Sequence, residues 1–238
     1  MLHNSMIFWR KPSPECIDAQ IEELYNTLLE FKKVDDLFSP NFILSNSRRK
    51  GVISFEWDIS AFKKRMLAHP VNKGNVALGE LGYSFAAIST QEESNCIGFS
   101  ATIGNQHRAF YDSLVVNLPD ALLERNNNEQ IVQSLFKNAS VSFKPFWGCI
   151  TDVAMLRKCP ELMSGNKPTS VHWVNYWSDT IVETIGDRTV RSVLSSNYIT
   201  FDGNIFAICG HPIDISLNED SLFVEKINKS SNSNTIEQ

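Results

Sequence analysis

"ELGYSFAAISTQEESNCIGFSATIG" (residues 80–104) holds two alternating runs joined by a short polar link. In the first run Leu81, Tyr83, Phe85 and Ala87 fall on every second position; in the second, Ile97, Phe99, Ala101 and Ile103 do the same. A period of two places one set of side chains on one face of a strand, which is the pattern of a half-buried sheet. With the link "QEESN" (91–95) between them, the two runs read as an antiparallel hairpin with a medium loop. "SLVVNLP" (113–119) adds a third strand, with Leu114, Val116 and Leu118 in register and Pro119 as its stop.

Working outward, residues 13–33 read as an amphipathic helix. Ser13 can cap it, Pro14 suits the first helical position, and Glu15 favours the helix dipole. Ile17, Ile21, Leu24, Leu28 and Phe31 recur at helical spacing and form one apolar stripe. "VISFEWD" (52–58) alternates as a half-buried strand, after a turn "SRRKG" (47–51) with three adjacent positive charges. A short helix is expected from Ser60 to about Leu67, with Phe62 and Met66 inward.

Downstream, "NNEQIVQSLFKNAS" (127–140) reads as a helix through Ile131, Leu135 and Phe136. "FWGCITD" (146–152) and "VHWVNYW" (171–177) read as strands, and "NYITFDGNIFAICG" (197–210) as a hairpin about Asp202-Gly203, a dipeptide suited to a type I′ turn. A last short helix is expected around Leu222–Ile227. Hairpins dominate, and strict strand–helix alternation is missing. The expected fold is α+β: a largely antiparallel sheet with helices packed on it, in a single domain. That domain is expected over 13–228, after an N-terminal segment 1–12 and before a polar, disordered tail 229–238.

Composition narrows the function classes. Across 238 residues, hydrophobic residues make 42% and charged residues 21%, ordinary globular usage. A net charge of −5 argues against nucleic acid as a partner, because phosphate binding rests on clustered Lys and Arg. Five dispersed cysteines without C-x-x-C spacing read as free thiols in a reducing compartment. "MLHNSMIFWRKPSPE" (1–15) lacks the pattern of a signal peptide, and no window approaches eighteen apolar residues, so a membrane is not expected as a partner. The expected compartment is the cytoplasm.

The sequence carries none of the common motifs of catalysis and cofactor binding. No G-x-G-x-x-G, P-loop or H-E-x-x-H is present, and the five histidines are far apart with no ligand spacing. No catalytic residue, metal site or cofactor is therefore expected. The competing readings are an enzyme with a spatial site around His107, His172 or His211, and a scaffold protein.

The densest aromatic stretch is "HWVNYWS" (172–178). Its alternation assigns Val171, Trp173, Asn175 and Trp177 to a core face, and His172, Val174 and Tyr176 to a partly exposed one. A base-stacking platform would need flanking Lys or Arg, whereas Ser170, Ser178 and Asp179 stand there.

Trp173-Val174-Asn175-Tyr176-Trp177-Ser178 resembles the Trp-x-x-Tyr-x-Ser strand of the immunity protein 52 family of bacterial polymorphic toxin systems. The resemblance extends in order over roughly residues 13–228, through "PSPECIDAQIEEL", "FEWD", "ATIG", "DSLVVNLP", "KPFWGCITD" and "NYITFDGNIFAICGHPID". Where members often carry glycine before the motif tryptophan, this chain has His172. The resemblance implies a non-enzymatic antidote in type VI or contact-dependent secretion, one that neutralises a cognate toxin of a restriction-endonuclease-like nuclease class. A nuclease presents a cationic cleft, so the inhibitor's contacts should pair carboxylates with an aromatic anchor. Tyr176, Asp179 and Asp202 are the expected toxin-binding patch.

Overall fold

A helix long enough to span one side of a sheet is laid down by the stripe Ile21, Leu24, Leu28 and Phe31, all buried. A computed structural model describes residues 4–13, 15–44, 51–71, 80–107, 110–119, 122, 128–158, 163–164, 167–185, 199–202 and 204–207. The fold is α+β, a largely antiparallel sheet with helices packed on it. Two compact units are distinguished within it: Met6–Pro145, and Phe146–Gln238 together with Met1–Ser5.

Met6–Pro145 holds most of β1 (Asn4–Arg10), then α1 (Ile17–Val34), β2 (Phe42–Leu44), β3 (Val52–Ser54) and α2 (Ile59–Leu67). β4 (Leu81–Ile88), β5 (Gly98–Asn105), β6 (Asp112–Leu118) and α3 (Asn128–Ser142) follow. Its strands are ordered β1-β6-β5-β4-β2-β3. The hairpin expected from residues 80–104 is β4–β5, antiparallel from Leu81↔Asn105 to Ile88↔Gly98, and β6 continues the meander. α1 lies against α2, α3 and β5. Tyr25, Phe55, Phe62 and Phe85 form an aromatic cluster beneath α2, with ring centroids 5.3–6.0 Å apart.

The helix does not start where capping residues pointed. α1 begins at Ile17 with Cys16 at its N-cap and no side-chain cap, while the Ser13 hydroxyl accepts from the Glu15 amide at 3.2 Å. Ser13 closes a local serine turn ahead of the helix and does not cap it. Over 52–58, where a half-buried strand was expected, regular pairing stops at Ser54 and Val52, Ile53 and Ser54 are all exposed, in the terminal strand of the sheet order. α2 matches its expectation: Asp58 caps it through the Ala61 amide at 2.7 Å, and Phe62 and Met66 are buried.

Gly82 and Gly104 stand opposite each other in the β4–β5 register, both with positive φ, +82° and +77°. A Cβ on Gly82 would lie 2.3 Å from the Ile103 carbonyl oxygen, a backbone atom that has no room to yield. The turned-out amide of Gly104 donates instead to the Gln20 side chain on α1, at 3.2 Å. A local defect in the ladder is thereby used to tie helix to sheet.

The buried centre of this unit is ionic. The Arg10 guanidinium on β1 donates to Glu23 at 2.6 Å, to Gln20 at 3.2 Å and to Asp112 on β6 at 3.2 Å. It also lies 4.9 Å from the centroid of Phe143. Asp112 accepts a further bond from the Asn105 amide at 3.0 Å, and Glu23 a second cation, Lys144, at 2.7 Å. The sequence reading placed residues 1–12 outside the domain; β1 is buried along nearly its whole length.

The second unit contains β7 (Trp147–Asp152), α4 (Val153–Lys158), a short ribbon of β8 (Met163–Ser164) and β9 (Lys167–Pro168), and β10 (Val174–Trp177). α5 (Asp179–Ile185), β11 (Ile199–Asp202) and β12 (Ile205–Ala207) complete it. The strands run β11-β12-β10-β7, with β10 antiparallel to β7 and β12 on its two sides. The expected hairpin about Asp202-Gly203 is β11–β12, antiparallel, with an irregularity between Thr200 and Asp202. The helix expected around 222–227 and the tail 229–238 lie outside the described residues.

Burial keeps the Asp112 carboxyl above its ordinary value despite Arg10, so in the folded state it holds its proton more firmly than in the unfolded one. Such a group stabilises the fold most at low pH, and that contribution is lost as pH rises through the folded value. Removing Arg10 extends this loss upward. Arg10→Met should therefore cost about 3–5 kcal/mol at neutral pH, the penalty for stranding a buried charge. The deficit should narrow as the pH falls toward the carboxylate range. Urea unfolding across pH tests this, and a deficit independent of pH would dismiss the buried-charge account.

Candidate functional site

The aromatic stretch 172–178 enters β10 through a tight polar hinge. The Asn175 side chain accepts from the His172 amide at 2.9 Å and donates to the His172 carbonyl at 2.7 Å. The imidazole sits between two hydroxyls, Ser170 at 3.0 Å from Nε2 and Thr151 at 2.9 Å from Nδ1, with the Trp147 ring edge-on at 5.8 Å. His172 is 1% exposed, and Ser170 and Thr151 are nearly as buried. Burial lowers its pKa to about 4, so the ring is neutral at physiological pH. One ring nitrogen donates and the other accepts, and hydroxyls can satisfy both.

Trp173 and Trp177 are buried as expected, Trp177 edge-on to Phe206 at 4.8 Å. The opposite face differs from the alternation reading. His172 and Val174 are buried too, and only Tyr176 keeps partial exposure. β7 and β12 pair with the two edges of β10, and the burial of Val174 and Asn175 on successive positions shows that both of its faces are covered there.

Tyr176, Asp179 and Asp202 are brought together by register. Tyr176 and Asp202 are each partnered with Ile205 of β12, from opposite sides, so their backbones share one rung two strand spacings apart, roughly 10 Å. Asp179 follows β10 at the start of α5, where its carboxylate accepts from Asn204 at 2.7 Å. Asn204 precedes Ile205 and accepts from the Trp177 amide through its carbonyl at 3.1 Å. The Tyr176 phenol has its pKa raised, by burial first and by the Asp179 charge second, and stays protonated as a hydrogen-bond donor.

α5 was not expected. Ile181 anchors it in the core, and Asp179, Thr180, Glu183 and Thr184 are exposed. Glu183 stands one turn from Asp179 and extends the acidic rim. The signal for it was available in "SDTIVETI" (178–185), where an acidic first turn precedes apolar residues at helical spacing.

The other histidines named as candidates are apart from this site. His107 is exposed, its ring 5.3 Å from Phe110, and His211 lies outside the described residues. Among the described residues no three His, Cys, Asp or Glu side chains are grouped to hold a metal ion. Nor is any described helix long and apolar enough to cross a membrane. Cys149 on β7 is fully buried, and burial pushes its thiol well above the ordinary value, away from nucleophilic use at neutral pH.

No family model matches the chain, and no curated protein matches it. A solved structure, "Pseudomonas aeruginosa T6SS protein PA0821", has a similar fold, with a TM-score of 0.61 at 13% identity. The likeness covers 96% of this chain and 72% of that one.

A histidine whose folded pKa lies below its ordinary 6.5 contributes stability that is complete above that value and is lost as pH falls toward about 4. The wild type should lose up to about 1.4 kcal/mol per pH unit over this window through His172. His172→Gln, which cannot titrate, should show a shallower slope there. Parallel slopes for the two proteins in chemical unfolding would show that His172 already carries its charge when folded.

Proposed function

We propose that this chain is a cytoplasmic immunity protein of a type VI secretion system, one that binds and neutralises a cognate antibacterial toxin by contact alone. The observation that carries the reading is the fold shared with a T6SS protein across nearly the whole chain. The ordered motifs that resemble the immunity protein 52 family point the same way and suggest a restriction-endonuclease-like nuclease as the toxin.

The contact face is the rim built by Tyr176, Asp179 and Asp202, widened by Glu183. An aromatic anchor beside carboxylates suits a cationic nuclease cleft: the ring supplies desolvated contact area and the acids steer the encounter. Net charge of −5 favours the same pairing at long range. A histidine enzyme is the less favoured alternative, since His172 is sealed from solvent by its own packing.

The test is co-expression with the toxin encoded beside the gene, followed by pull-down and association kinetics. Wild type should rescue growth and bind with a rate that falls as salt is added. Tyr176→Ala with Asp179→Lys, Asp202→Lys and Glu183→Lys should fold normally and associate at least tenfold more slowly, since steering acts chiefly on the association rate. His107→Ala with His211→Ala should still protect. Full protection by the charge-reversed variant, with salt-insensitive association of the wild type, would remove this face from the interface.

A further inference from the structure

A groove of about 410 Å³ opens in Met6–Pro145 between α2 and the β2–β3 hairpin. Its floor is apolar, with Ile53, Phe55 and Phe62; its α2 wall carries Lys64, Arg65 and, at the helix end, His69. Glu56 is the one acid among its lining residues. Neither Lys64 nor Arg65 has an ion-pair partner among the described residues, whereas neighbouring Lys63 is paired with Glu22. An acidic chain thus presents a local cationic wall over aromatic rings.

The groove borders a sheet edge. Among the described residues β3 is the last strand of its sheet order, paired with β2 on one side only, and all three of its residues are exposed. Leu44, Val52 and Ile53 are exposed large apolar residues on this hairpin, and Leu67 is another on α2. Natural sheet edges are usually blunted by charge, proline or a covering element. Val52, Ile53 and Ser54 carry none of the first two, and β-branched residues suit strand pairing.

We propose that this edge and groove form a second docking site, which captures an extended acidic segment of a partner protein as an added strand on β3. Main-chain bonds to β3 supply affinity. Alternate apolar side chains of the segment enter the groove toward Phe55 and Phe62, and its carboxylates meet Lys64 and Arg65. A second copy of this chain fits worse, because two-fold pairing through β3 would bring together two walls that each carry Lys64 and Arg65 against a single described acid, Glu56. The site lies in a different unit from the Tyr176–Asp179 rim and does not depend on the immunity reading.

The test uses the full chain and fluorescein-labelled peptides of alternating valine and glutamate, with a valine–lysine peptide as the control. Anisotropy should show the glutamate peptide binding at least tenfold more tightly than the lysine peptide. Lys64→Glu with Arg65→Glu should abolish that preference in a protein that still unfolds cooperatively, with at most a modest fall in melting temperature from the lost charges of the last turn of α2. N-methylation of alternate peptide amides, which removes strand hydrogen bonds, should weaken binding in one methylation register and spare it in the other. Equal binding of the two peptides, indifference to the charge reversal, or self-association of the wild type that Ile53→Lys abolishes, would each overturn the proposal. Toxin protection is read separately: the Lys64→Glu, Arg65→Glu variant should keep it.

Discussion

The fold of Met6–Pro145 turns on a buried guanidinium. From β1, Arg10 gathers groups of α1 and β6 and rests against Phe143, just beyond α3, so elements far apart in the chain meet at one planar donor. Such a group is held only when its partners are placed to receive its forked hydrogens, since its desolvation is costly. Gln20 links this cluster to the outward amide of Gly104. The orientation of α1 over the sheet is therefore set by directional bonds as well as by its apolar stripe, which alone would tolerate sliding.

Much of the architecture was legible because strong periodicities fell on half-buried elements. β4, β5 and β6 alternate as a one-sided sheet does, and α1 shows its stripe. β1 was not legible, for the opposite reason. "NSMIFWR" is buried on both faces, so its pattern has no period, and three of its buried residues, Asn4, Ser5 and Arg10, are polar. Their burial depends on partners distant in sequence, such as Asp112, which no local reading supplies. α4 and α5, at six and seven residues, are too short for a helical period to emerge. The candidate rim was half legible: the Asp-Gly turn fixed a hairpin, but that Tyr176 and Asp202 share a rung required the register through Ile205. Glu183 was missed with the helix that carries it.

The two proposed surfaces use opposite charges and different backbones. The rim near β10 sets Asp179 at a helix start, where Asn204 donates to its carboxylate, so that group is held rather than floating. Fixed groups lose less entropy on binding than free ones, which favours recognition by a preorganised face. The edge at β3 is the converse, a short strand with little of its own pairing and a groove beside it. His172 serves neither surface. It fills a polar gap in the second unit as a neutral ring, and its two hydroxyl partners make it a structural spacer with a narrow pH tolerance.

β1 contributes its first two residues to one unit and its remaining five to the other. The unit built from Phe146 onward is consequently discontinuous in sequence: Asn4 and Ser5 must wait until synthesis has passed Phe146 before the rest of their unit exists. On a ribosome the β4–β5 hairpin can close as soon as it emerges, being local, whereas this unit is completed only after β7, β10 and β12 have followed. A gene split at residue 145 would likewise cut no strand yet still leave the downstream fragment without part of its own fold.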